Sequence, residues 1–140
     1  MKVLGNNKWI RWLEFFPELN PKFELIKERI PLEQLIIMSK CAKVYPVDAN
    51  PAILNGLHLR VFDCIAMGVL PLVEYRKDVD TFFNGINLPL IKNYDEANAL
   101  ARYYLSNDSL RNETLKQLFE YTKENYSPEI VMKRILNHIF

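Results

Sequence analysis

The stretch Asn55-Gly56-Leu57-His58-Leu59-Arg60-Val61-Phe62-Asp63 concentrates the residue types that could do chemistry in this chain. Leu57, Val61, Cys64, Ile65 and Met67 recur at helical spacing, and the pair Asn55-Gly56 is a turn that could open that helix. The first N–H groups of a helix have no partner inside it, and the helix dipole makes that end mildly positive. A glycine at the mouth lets a phosphate or a sugar hydroxyl come close to those donors. Arg60, one turn in, adds a permanent cation suited to a diphosphate. Asp63, further along the same face, is a carboxylate that could hold a ribose or sugar diol. His58 at the mouth could donate to a phosphate or sugar oxygen. On the residues alone, Arg60 and Asp63 serve equally as a surface i, i+3 pair, and His58 as a solvent-facing first-turn residue.

The elements that would position these groups can be read from the flanking residues. Gly68 stands where a helix needs a left-handed residue to stop, and Val69 to Val73 is an apolar run of strand length. Upstream, Lys2-Val3-Leu4 reads as a strand ending at Gly5-Asn6-Asn7. Trp9, Ile10, Trp12, Leu13 and Phe16 suit a short amphipathic helix or an aromatic turn, expected to pack in the core. Phe23 to Ile26 reads as a second strand, and Ile30 to Met38 as a helix with Pro31 in its first turn. Ala42 to Val47 reads as a strand whose Pro46 favours an edge or the strand end, and a loop from Asp48 to Leu54 leads to Asn55. Downstream, a short helix holds Val79, Phe82 and Phe83, with Asp78 and Asp80 as favourable charges in its first turn. Glu74 comes after a strand end, which makes it either a ligand-rim acid or a solvated turn acid. A strand at Leu88 to Ile91, a helix from Ala97 to Leu105 capped by Asp95, a longer helix to Glu124 and a last helix from Ser127-Pro128-Glu129 complete the chain. Tyr103 and Tyr104, and His138 near the end of the last helix, read as packing or surface residues. The alternation predicts a single α/β domain over residues 1–140: a Rossmann-like, mainly parallel sheet with helices on both faces.

Bulk properties narrow the function. The chain has 140 residues and a formal charge of +1, with no dense basic block, which argues against a nucleic-acid partner. Cys41 and Cys64 lack metal-type spacing and are expected to be buried, reduced thiols of a cytoplasmic protein. Met-Lys-Val and the polar residues after it lack signal-peptide architecture, and no apolar run reaches the length of a membrane span. There is no Walker-type loop and no G-x-G-x-x-G among the four glycines. His58 and His138 form no zinc-type pattern, so no metal and no resident cofactor are expected.

The central stretch resembles the donor-binding segment of GT-B glycosyltransferases, especially the branch like the spore-maturation protein CgeB. That branch reads N-L-R-V-F-E, then small and apolar residues, a Gly and a strand. This chain reads Leu59-Arg60-Val61-Phe62-Asp63, then Ala66 and Gly68. In the wider retaining family, E-G-F-G-L-V-V-L-E, the second acid serves the nucleotide ribose and the first the donor sugar. Without gaps these fall on Asp63 and on Asn55, which keeps hydrogen-bonding capacity without the charge. Glu74, Phe82-Phe83, Gly85, Leu90, Tyr94-Asp95-Glu96 and Tyr103-Tyr104-Leu105 continue the likeness, and the G-N-N-K-W run resembles the family's first loop. The resemblance implies one half of a GT-B fold, the carboxyl-terminal domain. Its donor-binding residues would be Asn55, Gly56, Leu57, His58, Arg60 and Asp63, with Lys8 or Arg11 helping to hold the diphosphate. It implies a nucleotide-diphosphate-sugar substrate and transfer to a glycan, lipid or protein in cell-surface polysaccharide or glycoconjugate synthesis. An amino-terminal acceptor-binding domain would be the partner, and any membrane contact would be peripheral, through that half. Two rivals are a sugar-nucleotide epimerase or hydrolase of the same architecture, which would need more acids or histidines, and a receiver-like regulatory module. The latter needs an acidic pair where Gly5-Asn6-Asn7 stands.

Overall fold

The computed structural model describes residues 3–26, 30–48 and 55–139; Lys2 and the part of the predicted loop from Ala49 to Leu54 lie outside them. The chain divides into two compact units, Met1–Ile37 and Met38–Phe140.

In the first unit β1 (Val3–Gly5) and β2 (Phe23–Leu25) run parallel, with Val3 opposite Phe23. Between them lie helix α1 (Asn7–Phe15) and a 3₁₀ segment, Pro17–Lys22. Asn6 is the N-cap of α1: its side-chain oxygen accepts the Lys8 N–H at 3.0 Å. The expected core role of the aromatic residues fails here. Trp9, Trp12, Phe15 and Phe16 are exposed, Phe15 by 66%, and α1 buries none of its residues. Two three-residue strands offer too little surface to enclose so many large side chains.

Helix α2 (Leu32–Lys40) spans the boundary between the units. The second unit then reads β3 (Val44–Val47), α3 (Arg60–Met67), β4 (Leu70–Glu74), α4 (Val79–Phe82), β5 (Leu90–Ile91), α5 (Tyr94–Ser106), α6 (Asp108–Tyr126) and α7 (Pro128–Ile139). The sheet has the order β3-β4-β5 and is parallel throughout, as an α/β domain of Rossmann-like type requires. β4 is its centre, and Leu70 to Val73 are all buried. Pro71 fits there because β5 pairs with β4 only from Val73 onward, so the missing N–H of Pro71 leaves no strand unpartnered. Pro46 sits, exposed, on edge strand β3.

The core forms where α3 and α6 cover this sheet. Val61, Cys64 and Ile65 of α3 meet Val47, Leu70, Leu72 and Val73, and Leu118 of α6 closes the cluster. Full burial of each such aliphatic side chain contributes about 1.5–3 kcal/mol. Gly68 ends α3 at φ +77°; its N–H donates to the Ile65 carbonyl, and the Val69 N–H to the Cys64 carbonyl at 2.9 Å. Phe62, Phe83, Tyr121 and Tyr126 pack ring against ring between α3, the end of α4 and α6, and the Tyr126 hydroxyl donates to the Phe82 carbonyl at 2.7 Å. Arg111, buried on α6, donates through Nη1 to the Tyr104 carbonyl at 2.9 Å and to Asp108 at 2.6 Å. Lys43 completes that corner, 3.2 Å from the same Asp108 oxygen.

Three local expectations shift. The cap of α5 is Asn93, whose side chain accepts the Asp95 N–H at 3.0 Å, because the helix starts at Tyr94 rather than after Asp95. Cys41 is exposed, lying just past the end of α2 instead of on its inner face, whereas Cys64 is buried. Most consequentially, α3 begins at Arg60, not at Gly56 or Leu57.

Candidate functional site

In the second unit the strands end within one residue of one another. Val47 lies opposite Val73 and Glu74 opposite Ile91, so the chain segments leaving β3, β4 and β5 gather at one carboxyl rim. The segment Gly56-Leu57-His58 returns to the same rim. There Val47, Val73 and Val79 floor a small pocket edged by Asp48, Gly56, Leu57, His58, Glu74 and Arg76. Its enclosed volume is about 10 Å³, room for roughly one water, so a larger ligand has to lie across the rim or open it.

Gly56 adopts φ +99°, a conformation open to glycine at little cost, and its Cβ position faces empty space. Its N–H is already engaged: Asp78 Oδ2 accepts it at 2.5 Å across 22 residues of sequence. Asp78 is therefore no simple first-turn charge of α4. It makes no capping bond there, and its side chain instead ties the entrance of α4 to the Gly56 loop. Asp78 Oδ1 is buried with no hydrogen-bond partner.

His58 acts as a cap from one residue ahead of Leu59, the N-cap position of α3. Its Nδ1 accepts the Arg60 N–H at 3.0 Å, which puts the proton of the neutral ring on Nε2, and its carbonyl accepts the Val61 N–H at 3.0 Å. A side chain of this chain thus satisfies one of the amide donors expected to face a ligand. Arg60 is the first helical residue rather than one turn in, and it is exposed, as is Asp63. No ion pair joins them among the described residues, so the predicted surface pair does not form. Their charges act on Cys64, whose thiol is pushed up to about 11 mainly by burial, then by Asp63, with Arg60 opposing.

On the other side of the rim, Arg76 Nη1 lies 3.2 Å from Glu74 Oε1, with side chains 32% and 16% exposed. The Tyr94 hydroxyl is held above its ordinary pKa by a hydrogen bond to Glu74 and by the charge of that carboxylate. Lys92 lies over the Tyr75 ring, 5.6 Å from its centroid. Glu74 is therefore a rim acid with partners, not a solvated turn residue.

The structure brings Gly56, Leu57 and His58 together at one pocket. Asn55, Arg60 and Asp63 are exposed beside it, outside its lining. Lys8, exposed on α1, belongs to the first unit. Sequence reasoning missed Arg76 and misread Asp78. Arg76 had a usable signal, a cation two residues past a buried strand; Asp78 had none, because its partner is remote in sequence. Among the described residues no cluster of His, Cys, Asp or Glu could hold a metal ion.

A rim of this kind, with a cation, an imidazole N–H, two carboxylates and a phenol at the carboxyl ends of parallel strands, suits a polar ligand with anionic and hydroxyl groups. A family model described as glycosyl transferase-like matches residues 2–137. The chain belongs to the glycosyl transferase-like family. No curated protein and no solved structure matches it. A glycosyl transferase-like domain acts in glycosyl transfer, and the parallel sheet is compatible with an α/β Rossmann-like domain. Among the described residues, no helix of this glycosyl transferase-like chain is long and apolar enough to cross a membrane.

Proposed function

We propose that the chain is the donor-binding domain of a glycosyltransferase that takes a sugar from a nucleotide-diphosphate sugar. The observation that supports it best is the convergence of the Gly56-Leu57-His58 segment on the carboxyl rim of β3 and β4, in a chain of this family. Transfer of a glycosyl group leaves negative charge on the departing diphosphate, so the protein's task is to hold that charge with fixed donors. Here those donors are the Gly56 amide, the His58 Nε2–H and the guanidinium of Arg60. Asp63 holds the ribose, Asn55 contacts the donor sugar, and Leu57 packs beneath them. No metal or resident cofactor enters the reading.

The acceptor, a glycan, lipid or protein, is bound by a separate amino-terminal domain, with which this chain works in the cytoplasm on cell-surface polysaccharide or glycoconjugate. Alone it binds the donor weakly and transfers nothing. Titration calorimetry of the 140-residue chain with UDP, GDP and their sugars tests this. Saturable heat with at least one of them is expected; none with any, on protein shown to be folded by circular dichroism, overturns the reading.

A further inference from the structure

Two of the groups at the rim that could grip an anion without rearranging the backbone are the Gly56 N–H and the Arg76 guanidinium. Both already hold one. The Gly56 N–H donates to Asp78 Oδ2 at 2.5 Å, and Arg76 Nη1 lies 3.2 Å from Glu74 Oε1. We infer that Glu74 and Asp78 are specificity-determining residues of the proposed donor site: their carboxylates occupy the places of two phosphates, and a diphosphate binds by exchange with them. The inference rests on the donor-site reading and says what that site selects.

The argument is one of exclusive donors and like charges. An amide N–H carries one hydrogen, so Gly56 cannot serve Asp78 and a phosphate together. The guanidinium has five N–H groups in a fixed fork, and its Nη1 lies 3.2 Å from Glu74 Oε1. A phosphate that engages the fork bidentately forms the stronger, charge-assisted arrangement. Asp78 is also poorly settled where it is, because Oδ1 is buried without a partner. Turning outward returns that oxygen to water and offsets part of the lost Gly56 bond. A ligand with a single charge meets two carboxylates and displaces neither well. A diphosphate engages both donors at once, and a neutral nucleoside engages neither. The same arrangement keeps the two anion donors partnered while no ligand is bound.

The test compares wild type with Asp78→Asn, Glu74→Gln and the control Asp80→Asn, in the whole 140-residue chain, by calorimetry with UDP, GDP, uridine and guanosine. Asn and Gln keep one oxygen to accept a hydrogen bond and remove the competing charge, with an amide NH2 in place of the second oxygen. Asp80 is exposed on α4, and Asp80→Asn changes net charge equally. Diphosphates are expected to bind Asp78→Asn and Glu74→Gln about ten-fold more tightly than wild type, about 1.4 kcal/mol each. Nucleoside binding should not change, and Asp80→Asn should stay within about two-fold. Diphosphate binding detected only in the two variants also supports the exchange. Wild-type binding with unchanged or weakened affinity in both variants overturns this inference alone and leaves the donor site standing. No diphosphate binding to any folded form overturns both. Should one variant fail to fold, the other decides, since each removes one of the two carboxylates.

Discussion

Leu118→Ala is the sharpest test of how the rim is supported. Leu118 is 0% exposed and belongs to α6, which packs on α3 and β4. Truncating an enclosed leucine forfeits its transfer energy and leaves a cavity, about 2–5 kcal/mol in all. Leu118 lies fully buried in the core cluster, which restricts collapse and places the cost at about 3–4 kcal/mol. That is a large part of the about 5–15 kcal/mol available to a domain. For a unit of about 100 residues the unfolding entropy is roughly 0.2 kcal/mol/K, so the melting temperature should fall by about 15 °C. Thermal melts by circular dichroism and urea titrations measure it, with Phe119→Ala on the same helix as control. Phe119 is 45% exposed and should cost about 1 kcal/mol or less. A fall under about 5 °C, or one no larger than that of Phe119→Ala, would refute the packing of α6 on the sheet.

Two further outcomes concern the titrating groups. In native protein near neutral pH a thiol reagent should modify exposed Cys41 and spare Cys64, with both reacting in denaturant. Burial raises the Cys64 thiol from 9.0 to about 11, so its neutral form favours the fold fully below 9.0, and that contribution is lost as pH climbs toward 11. Protection of Cys41 or rapid labelling of Cys64 would contradict the placement. The Asp108 carboxyl is held below its ordinary 3.8 by Arg111 first and Lys43 second. Its contribution is therefore present above 3.8 and lost as pH falls through the depressed folded value, so melts of Asp108→Asn should depend less on pH in the acid range than wild type.

Much of the fold was legible because its signals are local. The stop at Gly68, the buried run of β4, the edge position of Pro46 and the start of α7 at Pro128 each depend on one or two neighbouring residues. The site was legible only in part. The start of α3 shifted by a turn because Gly56 takes a positive φ and His58 caps the helix, a task more usual for Ser, Thr, Asp or Asn. Asp78 could not be read from its own surroundings, since its partner lies 22 residues away. The aromatic stripe of α1 carries the period of a buried face, yet the period says only that one side is apolar, not that anything covers it.

The near-level ending of β3 and β4 has a consequence for how such a rim could diversify. With Val47 opposite Val73, Asp48 leaves β3 beside Glu74, the last residue of β4. Side chains alternate between faces along a strand, so deleting one residue from β3 would turn its apolar positions outward and pull Asp48 back by about 3.3 Å. Strand length acts as a ruler: the letters after the last pair can be exchanged one by one, while the count before it cannot change without dismantling the floor beneath.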